Sequence, residues 1–251
     1  MLETIEHGAI RELRFARPPV NALDPQLLGV LLRALEKGID ERVAALILSG
    51  QPGMFSAGLD IPALLRLDRD QLRQFWPLFF GVQGRIASSP IPVIAAITGH
   101  CPAGGTVLAL YCDHRVMARG AFRIGLNEVQ VGLFAGPIIH RAFERLVGTR
   151  HAAELLTRGA LVSPEEAHGV GLVDEIVEPA EVVPRAFAYA RDVAALPQGA
   201  YARTRALVRA DLVALFTATA ASFVDEANDA WFDPETQRRL RELFSQRTSS
   251  T

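Results

Sequence analysis

The pattern of hydrophobic and polar residues predicts strands and helices that alternate over most of the chain and give way to helices alone at its end. Strands are predicted where apolar residues alternate with polar ones or form short β-branched runs, at 9–16, 43–48, 92–98 and 172–177. Helices are predicted from apolar periodicity and capping signals, at 24–38, 61–67, 68–80, 106–111, 135–147, 150–157, 163–166, 186–195, 201–215, 218–231 and 234–244. This order predicts an α/β core over residues 1–195, with a helical region over 196–251 that belongs to the same domain.

Short signals mark where several of these helices begin and end. Asp24 followed by proline is typical of an N-cap, and Asp68 is placed to cap the aromatic-rich helix after it. Ser163, with a glutamate three residues later, matches a capping box. Gly38 is predicted to end the first helix, and the polar end of the chain, 247–251, is predicted to fray.

Composition and charge narrow the class of protein. The 251 residues are 49% hydrophobic and 22% charged, as in ordinary globular domains. The net charge of −2 and the lack of a basic patch give no reason to expect a nucleic-acid partner. No uncharged stretch is long enough to cross a bilayer. The first residues lack the basic and apolar regions of a signal peptide, so we expect a cytoplasmic location.

The cysteines and histidines do not predict a metal site. Cys101 and Cys112 lack a paired CxxC spacing, and the six histidines show no metal-ligand spacing. We therefore predict reduced, buried thiols.

The loop Cys101–Gly105 carries the strongest chemical signal, because it ends a predicted buried strand and opens a short apolar helix. The first N–H groups of a helix have no intrahelical acceptor and carry partial positive charge. Glycines let a ligand oxygen approach such groups closely. The spacing matches neither a dinucleotide fingerprint nor a phosphate-binding loop. A simple packing role for these glycines is the alternative.

A second loop, 55–60, also places backbone amides before a helix. Two such loops from different strands can direct two N–H groups at one oxygen, which is what an oxyanion hole requires. Ser56 lacks the G-x-S-x-G context of an activated nucleophile, so its loop is expected to act through backbone amides. Asp60 has an alternative role as the cap of the next helix.

Glu128 is a single carboxylate among apolar neighbours, including Leu126 and Val131. A base in such surroundings, beside an electrophilic pocket, indicates proton transfer at a carbon next to a carbonyl. The alternative is a structural ion pair with one of the many arginines of the chain.

Three separated motifs together make the chain resemble the crotonase (enoyl-CoA hydratase/isomerase) superfamily over nearly its whole length. The motifs are Phe-Ser-Ala-Gly-Leu-Asp at 55–60, Pro-Val-Ile-Ala-Ala-Ile-Thr-Gly at 92–99 and Ser-Pro-Glu-Glu-Ala-His-Gly-Val-Gly-Leu-Val at 163–173. Further likeness is to the Δ3,Δ2-enoyl-CoA isomerases of mitochondrial type, and it lies at 52–60, at 101–105 with 109–113, and at 124–128 with Gln130 and Gly132. The resemblance implies a spiral of ββα units, and a C-terminal helical region that helps to form a trimer.

The resemblance also implies roles for individual residues. The catalytic residues are Glu128 as the base, with the backbone N–H groups of Leu59 and Gly104 holding the thioester oxygen. Hydratases of this family carry a second glutamate at the position of Val107, and its replacement here by valine favours isomerisation. The residues expected to contact the CoA or acyl parts of the substrate are Ser56, Ala57, Gly58, Asp60, Gly105, Val107, Phe75, Phe79 and Phe134.

The sequence thus predicts an isomerase that shifts the double bond of an unsaturated fatty acyl-CoA in β-oxidation. No separate cofactor is expected, because coenzyme A is part of the substrate. Enoyl-CoA hydration, another crotonase-type reaction and a non-catalytic acyl-CoA-binding paralogue are the alternatives.

A homotrimer or hexamer is expected, because the C-terminal helices carry more apolar surface than we expect them to bury alone. The apolar residues concerned include Leu207, Leu212, Leu215, Phe216, Phe223 and Trp231.

Overall fold

The computed structural model describes the backbone of residues 1–218 and 220–248, and the side chains of these except at 218, 220–222 and 244–248. The strands are β1 (Leu2–His7), β2 (Ile10–Phe15), β3 (Ala45–Ser49), β4 (Gly53–Met54), β5 (Val93–Ile97), β6 (Gly99–Pro102), β7 (His114–Ala118), β8 (Ile124–Gly125), β9 (Leu161–Val162) and β10 (Glu175–Val177). The α-helices are α1 (Pro25–Asp40), α2 (Ile61–Leu64), α3 (Arg69–Ala87), α4 (Gly104–Leu110), α5 (Pro137–Arg158), α6 (Pro164–Gly169), α7 (Val182–Ala194), α8 (Gln198–Val208), α9 (Ala210–Ala218), α10 (Ala220–Trp231) and α11 (Pro234–Thr248). Short 3₁₀ turns cover Glu128–Val131 and Pro179–Glu181.

Two sheets organise the core. The larger has the strand order β1-β2-β3-β5-β7-β10, and the smaller has the order β4-β6-β8-β9. The central strands β3 and β5 are buried at every position, as their unbroken apolar runs predict. One hydrophobic cluster fills the space between the sheets and helices, and a second lies between the larger sheet and α7.

The chain repeats one unit three times: a strand of the larger sheet, a short strand of the smaller sheet, and a helical segment. The units begin with β3 and β4, with β5 and β6, and with β7 and β8. Strands β4, β6 and β8 are neighbours and run parallel. The segments that follow them therefore leave the smaller sheet at the same edge, and this arrangement places the site described below.

The structure corrects several boundaries predicted from the sequence. Strand β1 was missing from the prediction, although it pairs with β2 along its whole length. The first helix does not end at Gly38 but continues to Asp40, and a Cβ at Gly38 would lie 2.8 Å from Leu46 Cδ2. That glycine therefore serves close packing of α1 on β3. The helices predicted at 135–147 and 150–157 are confirmed in outline, because the non-helical backbone of Gly148 (φ 75°, ψ 162°) separates two helical stretches within the range of α5.

The caps and the C-terminal boundaries follow the sequence more closely. Asp24 accepts a hydrogen bond from the N–H of Leu27, and both Asp68 and Ser163 form complete capping boxes. The predicted helix at 201–215 is divided between α8 and α9. The predicted fraying at 247–251 is wrong for 247–248, which lie in α11, and 249–251 lie outside the described residues.

The C-terminal helices pack on the core of their own chain, so the argument for an interface from their apolar residues is wrong in part. Leu212, Phe223 and Trp231 are buried, and Phe216 packs against the main cluster. Leu207 remains 78% exposed. Neither the oligomeric state nor the division at residue 195 is tested by this packing, and both stay predictions.

A buried ionic cluster fastens α8 to the core. The Arg205 guanidinium donates to the Asp113 carboxylate at 2.9 Å and to backbone carbonyls at the end of α3, including that of Ile86 at 2.8 Å. Arg209 adds an ion pair with Asp113 at 2.9 Å. The carbonyls at the end of α3 thus gain charged donors from α8. Among the described helices, none is long and apolar enough to cross a membrane.

Candidate active site

An apolar cavity of about 260 Å³ lies between the edge of the smaller sheet and the C-terminal helices. Its walls come from the loop before α2, from α3, α4, the Glu128 turn (Glu128–Val131, ended by Gly132), α10 and α11. The lining residues are Ala57, Leu59, Ile61, Trp76, Phe79, Phe80, Pro102, Ala103, Gly104, Val107, Asn127, Glu128, Val131, Leu133, Phe134, Ile139, Leu161, Phe223, Ala227, Ala230, Leu240 and Leu243.

Two backbone amides meet at one end of this cavity. They are the N–H groups of Leu59 and Gly104, which follow the neighbouring parallel strands β4 and β6. The two amides are close together, because a Cβ placed on Gly104 would lie 3.3 Å from the nitrogen of Leu59. Gly58 has φ +88°, and a Cβ there would lie 2.8 Å from the nitrogen of Gly104. The contact therefore requires glycine at position 58. Within the described chain, the N–H groups of Leu59 and Gly104 have no hydrogen-bond acceptor.

Ala103 turns the chain so that the Gly104 amide opens α4. It is the N-cap of that helix and has φ 50° and ψ −124°, a conformation that L-residues rarely adopt. Its N–H donates to the carbonyl of Gly125 on β8 at 2.8 Å, and its carbonyl accepts from Val107 at 2.9 Å. Both neighbours therefore hold the strained residue in place.

Glu128 is the one titratable side chain among the described residues that line the cavity. It follows β8, the third of the parallel strands that end at this edge. Its Oε2 atom is buried and has no hydrogen-bond partner within the described chain. Burial raises the pKa of this carboxyl to about 7, although its own backbone N–H opposes the shift. Among the arginines whose side chains are described, none pairs with Glu128, so the structural ion pair given as the alternative is not observed there.

Aromatic side chains form much of the wall beyond the two amides. Trp76, Phe79 and Phe80 lie on successive turns of α3, and Phe223 of α10 packs against Phe80 with ring centroids 4.8 Å apart. Phe134 also lines the cavity, as predicted, and is 43% exposed.

Phe75 is misplaced in the sequence prediction, because it does not line this cavity. It is buried behind the wall, in contact with the rings of Trp76 and Phe79. Helical periodicity alone could not decide which ring of this aromatic run faces the cavity.

The loop at 55–60 separates into lining and supporting residues. Ala57 and Leu59 line the cavity, whereas Ser56 is fully buried and its hydroxyl donates to the carbonyl of Asn21 at 2.8 Å. Asp60 caps α2 through the N–H of Ala63 at 3.0 Å and pairs with Arg17 at 2.7 Å. The capping alternative is thus the observed role of Asp60, and Ser56 holds the loop.

Glycine 105 also supports the site from behind. A Cβ at Gly105 would lie 2.5 Å from the Ser56 carbonyl oxygen, so the start of α4 packs directly on the 55–60 loop. Val107, one turn further along α4, is 1% exposed and lines the cavity as predicted.

No cluster of three or more His, Cys, Asp or Glu that could hold a metal occurs within residues 1–218 and 220–248. Cys101 and Cys112 are free and buried, and burial raises the pKa of both thiols, which makes them poor nucleophiles.

Several residues of the site gave no usable sequence signal. An alanine such as Ala103 gives no indication in the sequence that its φ is positive. Asn127 directly precedes Glu128 but belongs to no recognisable motif. The α10 and α11 residues Ala227, Leu240 and Leu243 line the cavity, although each lies at least 99 positions along the chain from Glu128 and further from Gly104. Such contacts follow from tertiary packing alone.

The arrangement can hold one oxygen anion and move one proton. Two free N–H groups stabilise negative charge on a carbonyl oxygen, and a buried carboxyl with a pKa near neutrality both accepts and returns a proton. The rest of the described lining is apolar apart from Asn127, the indole N–H of Trp76 and backbone groups, which suits a hydrocarbon chain.

Comparison with known proteins relates this chain to one group of enzymes. The model of the enoyl-CoA hydratase/isomerase family matches residues 6–230. Human mitochondrial enoyl-CoA delta isomerase 1 is 32% identical over 212 residues, which cover 83% of this chain and 70% of the human protein. A protein of Mycobacterium avium (strain 104) named "Probable enoyl-CoA hydratase echA17" is 36% identical over 199 residues, 79% of this chain and 77% of that protein.

Solved structures share the fold. The crystal structure of human mitochondrial delta3-delta2-enoyl-CoA isomerase matches with a TM-score of 0.95 at 29% identity, over 100% of this chain and 99% of that one. An enoyl-CoA hydratase from Bacillus halodurans matches with a TM-score of 0.86 at 25% identity, over 96% and 99% of the two chains. The predicted fold is therefore confirmed. Since the human relative is named as mitochondrial, the cytoplasmic location of this chain stays a prediction.

Proposed function

The chain belongs to the enoyl-CoA hydratase/isomerase family, and on that premise we propose that it is a Δ3,Δ2-enoyl-CoA isomerase acting on unsaturated fatty acyl-CoA. One observation carries the proposal: Glu128 is the single carboxylate on the described cavity wall, and Val107 stands where the resemblance implies a second glutamate in hydratases. An isomerase needs one base that takes a proton and returns it. Hydration also requires a group that positions water.

The proposed reaction is a 1,3-proton shift within the substrate. Glu128 removes a proton from C2 of the 3-enoyl thioester. The electrons of that C–H bond form the C1–C2 double bond of a dienolate, the carbonyl π electrons move onto the thioester oxygen, and the C3–C4 double bond remains until C4 is protonated, when the C2–C3 double bond forms and the carbonyl is restored. The negative charge on the thioester oxygen is stabilised by the N–H groups of Leu59 and Gly104. Glu128 then delivers the proton to C4, which leaves a 2-enoyl thioester and restores the carboxylate.

The electrostatics of the cavity support this cycle. A carboxyl with its pKa raised to about 7 is a stronger base than an exposed glutamate, and it is half protonated near neutral pH. Val107 presents an apolar side chain where the resemblance implies, in hydratases, the carboxylate that positions a water. No cofactor takes part in the proposed steps, and coenzyme A enters with the substrate.

Enoyl-CoA hydration is the competing reaction, because a relative named as a hydratase is as similar in sequence as the isomerases. The two reactions give different products. We expect the protein to convert a 3-enoyl-CoA to a 2-enoyl-CoA, and to form little 3-hydroxyacyl-CoA from a 2-enoyl-CoA, both measured by chromatography. Fast hydration by the unmodified protein would contradict the proposal. Absence of either reaction would favour an acyl-CoA-binding paralogue.

Variants of Val107 test whether the missing carboxylate is the reason why the protein isomerises and does not hydrate its substrate. Val107→Glu is expected to gain modest hydratase activity, and Val107→Gln, which has the same shape without the charge, is the matched control. The buried carboxylate should also cost several kcal/mol of stability unless it finds a partner. Equal hydration by both variants would show that the carboxylate is not the missing group.

The proposed assembly is a homotrimer or hexamer. It is supported by the resemblance and by apolar residues that stay exposed near the cavity, among them Val129 and Phe134, both 43% exposed. Light scattering at micromolar concentration should give a trimeric or hexameric mass, and a monomeric mass would refute the assembly.

A further inference from the structure

The turn that carries Glu128 is short and has little support of its own. Four residues form a 3₁₀ turn, Gly132 ends it with φ +83°, and the preceding strand β8 is only two residues long. Isolated 3₁₀ turns have poor hydrogen-bond geometry and are seldom stable alone. The position of the carboxylate therefore depends on contacts from outside the turn.

Among the described residues, two side-chain hydrogen bonds connect the turn to the rest of the chain. Gln130 on the turn donates to the carbonyl of Gly159, after α5, at 2.8 Å. From the opposite direction, the hydroxyl of Thr236 on α11 donates to the carbonyl of Gly132 at 2.9 Å. Thr236 is 2% exposed, so water cannot readily replace it in this bond.

Thr236 is itself fixed in place. Asp233 accepts hydrogen bonds from the N–H of Glu235 at 2.9 Å and of Thr236 at 3.3 Å at the start of α11. A Cβ on Gly132 would lie 2.6 Å from the Thr236 hydroxyl oxygen, so the two segments are in direct contact. The first turn of α11 is thus a firm support for the end of the Glu128 turn.

The same helix also forms part of the acyl-chain wall. Leu240, one turn beyond Thr236, and Leu243 both line the cavity. We propose that Thr236 is a positioning residue, whose hydrogen bond to Gly132 holds the Glu128 carboxylate at the distance that proton transfer requires. The inference rests on the proposed function only in taking Glu128 as the base, and it holds for any reaction in which Glu128 moves a proton.

The test compares Thr236→Val, which keeps the shape and removes the hydroxyl, with Thr236→Ser, which keeps the hydroxyl. Thr236→Val should lower kcat about tenfold, because small displacements of a catalytic group are costly, while KM changes little. A looser turn also admits water to the carboxyl, so the acid limb of the kcat–pH profile should move to lower pH. Thr236→Ser should retain the wild-type pH midpoint and most of kcat.

Within the described residues, no other titratable side chain lines the cavity, and the carboxylate of Asp233, close to Thr236 in the chain, is engaged in capping α11. A moved midpoint is therefore attributable to Glu128. The matched control is Thr217→Val on α9, where the hydroxyl of an exposed threonine donates to the carbonyl of Ala214 in its own helix.

The outcomes separate the two proposals. If the wild type does not isomerise 3-enoyl-CoA, the proposed function fails, and the Thr236 series is run on whichever reaction the wild type catalyses. If Thr236→Val keeps the wild-type kcat and pH midpoint, the positioning role is overturned. A Thr236→Ser variant as impaired as Thr236→Val also overturns it. Should Thr236→Val fail to fold, Thr236→Ala supplies the same readouts without a buried methyl facing the carbonyl.

Discussion

The two sides of the cavity are built in different ways. The side with the amides is made of backbone, with Leu59 and Gly104 brought together by parallel neighbouring strands and by a contact that only glycine allows at position 58. The side with the base depends on one carboxylate on a four-residue turn, held by side chains of distant segments. We therefore expect activity to fall when a substitution adds volume beside the two amides. On the side of the base, we expect it to fall when a single carboxyl, amide or hydroxyl group is removed.

Removal of the base should have the largest effect. Glu128→Gln keeps the size and shape of the side chain, but the amide cannot accept the proton. Turnover should therefore fall by about 10²–10⁴. Binding of a saturated acyl-CoA, measured by calorimetry, should be nearly unchanged. Turnover close to that of the wild type would contradict the assignment of Glu128.

A side chain added next to the two amides should cause the next largest loss of turnover. Gly58→Ala places a Cβ 2.8 Å from the Gly104 nitrogen, which must displace one of the two donors, and a lost donor typically costs about 10²–10³ in turnover. Gly53→Ala is the matched control, because Gly53 has a similar φ of +85° and open space where the Cβ would lie. Circular dichroism and melting should show both variants folded. Equal activity of the two variants would mean that the close contact does not matter.

The two sides also differ in how far the sequence predicts them. The loops at 55–60 and 101–105 were recognisable because each places backbone amides between a predicted strand and a helix, although a packing role for their glycines stayed open. Glu128 was recognisable as a charge among apolar neighbours. The aromatic run of α3 predicts a wall, and Phe79 lines the cavity as predicted. Periodicity does not decide how the neighbouring rings face, because Phe75 lies behind the wall whereas Trp76 and Phe80 line the cavity.

The remaining errors have a common cause. Strand β1, the route of α1 past Gly38 and the burial of Trp231 within its own chain depend on partners far along the sequence. Local periodicity identifies elements, whereas these partners are chosen by packing. The contribution of α10 and α11 to the cavity wall also depends on such distant contacts, so local periodicity could not predict it.

The dependence of activity on pH distinguishes the sides further, because only the base side titrates. Glu128 must lose its proton before it can act, so kcat should rise with pH to a plateau, with a midpoint at about pH 7. One pH unit below this midpoint, kcat should be about tenfold lower than at the plateau. Gly58→Ala should lower the plateau and leave the midpoint in place. A midpoint near 4.5, the ordinary value for glutamate, would mean that the carboxyl is well solvated.

The same carboxyl should make stability depend on pH. Its pKa is higher in the folded chain than in the unfolded one, so the folded state binds the proton more tightly. The resulting stabilisation is complete below pH 4.5 and is lost as pH rises through about 7. Glu128→Gln removes this term, so its stability relative to the wild type should increase between pH 5 and pH 8, by up to about 3 kcal/mol in urea titrations. A relative stability that does not change with pH would contradict the burial of the charge.

The smallest expected effect concerns the far end of the acyl-chain wall, which the C-terminal helices form. Ala227 on α10 lines the cavity with a small side chain, and Ala227→Leu fills space that a long acyl chain would occupy. Each methylene that can no longer enter should lower kcat/KM about fourfold, since burial of a methylene is worth about 0.8 kcal/mol. Short-chain substrates and the pH midpoint should be unaffected, because the amides and Glu128 are untouched. Ala206→Leu, at an exposed position of α8, is the control for a larger side chain elsewhere in the helical region. An equal loss for all chain lengths would mean that α10 acts on the chemistry and not on the length of chain the enzyme accepts.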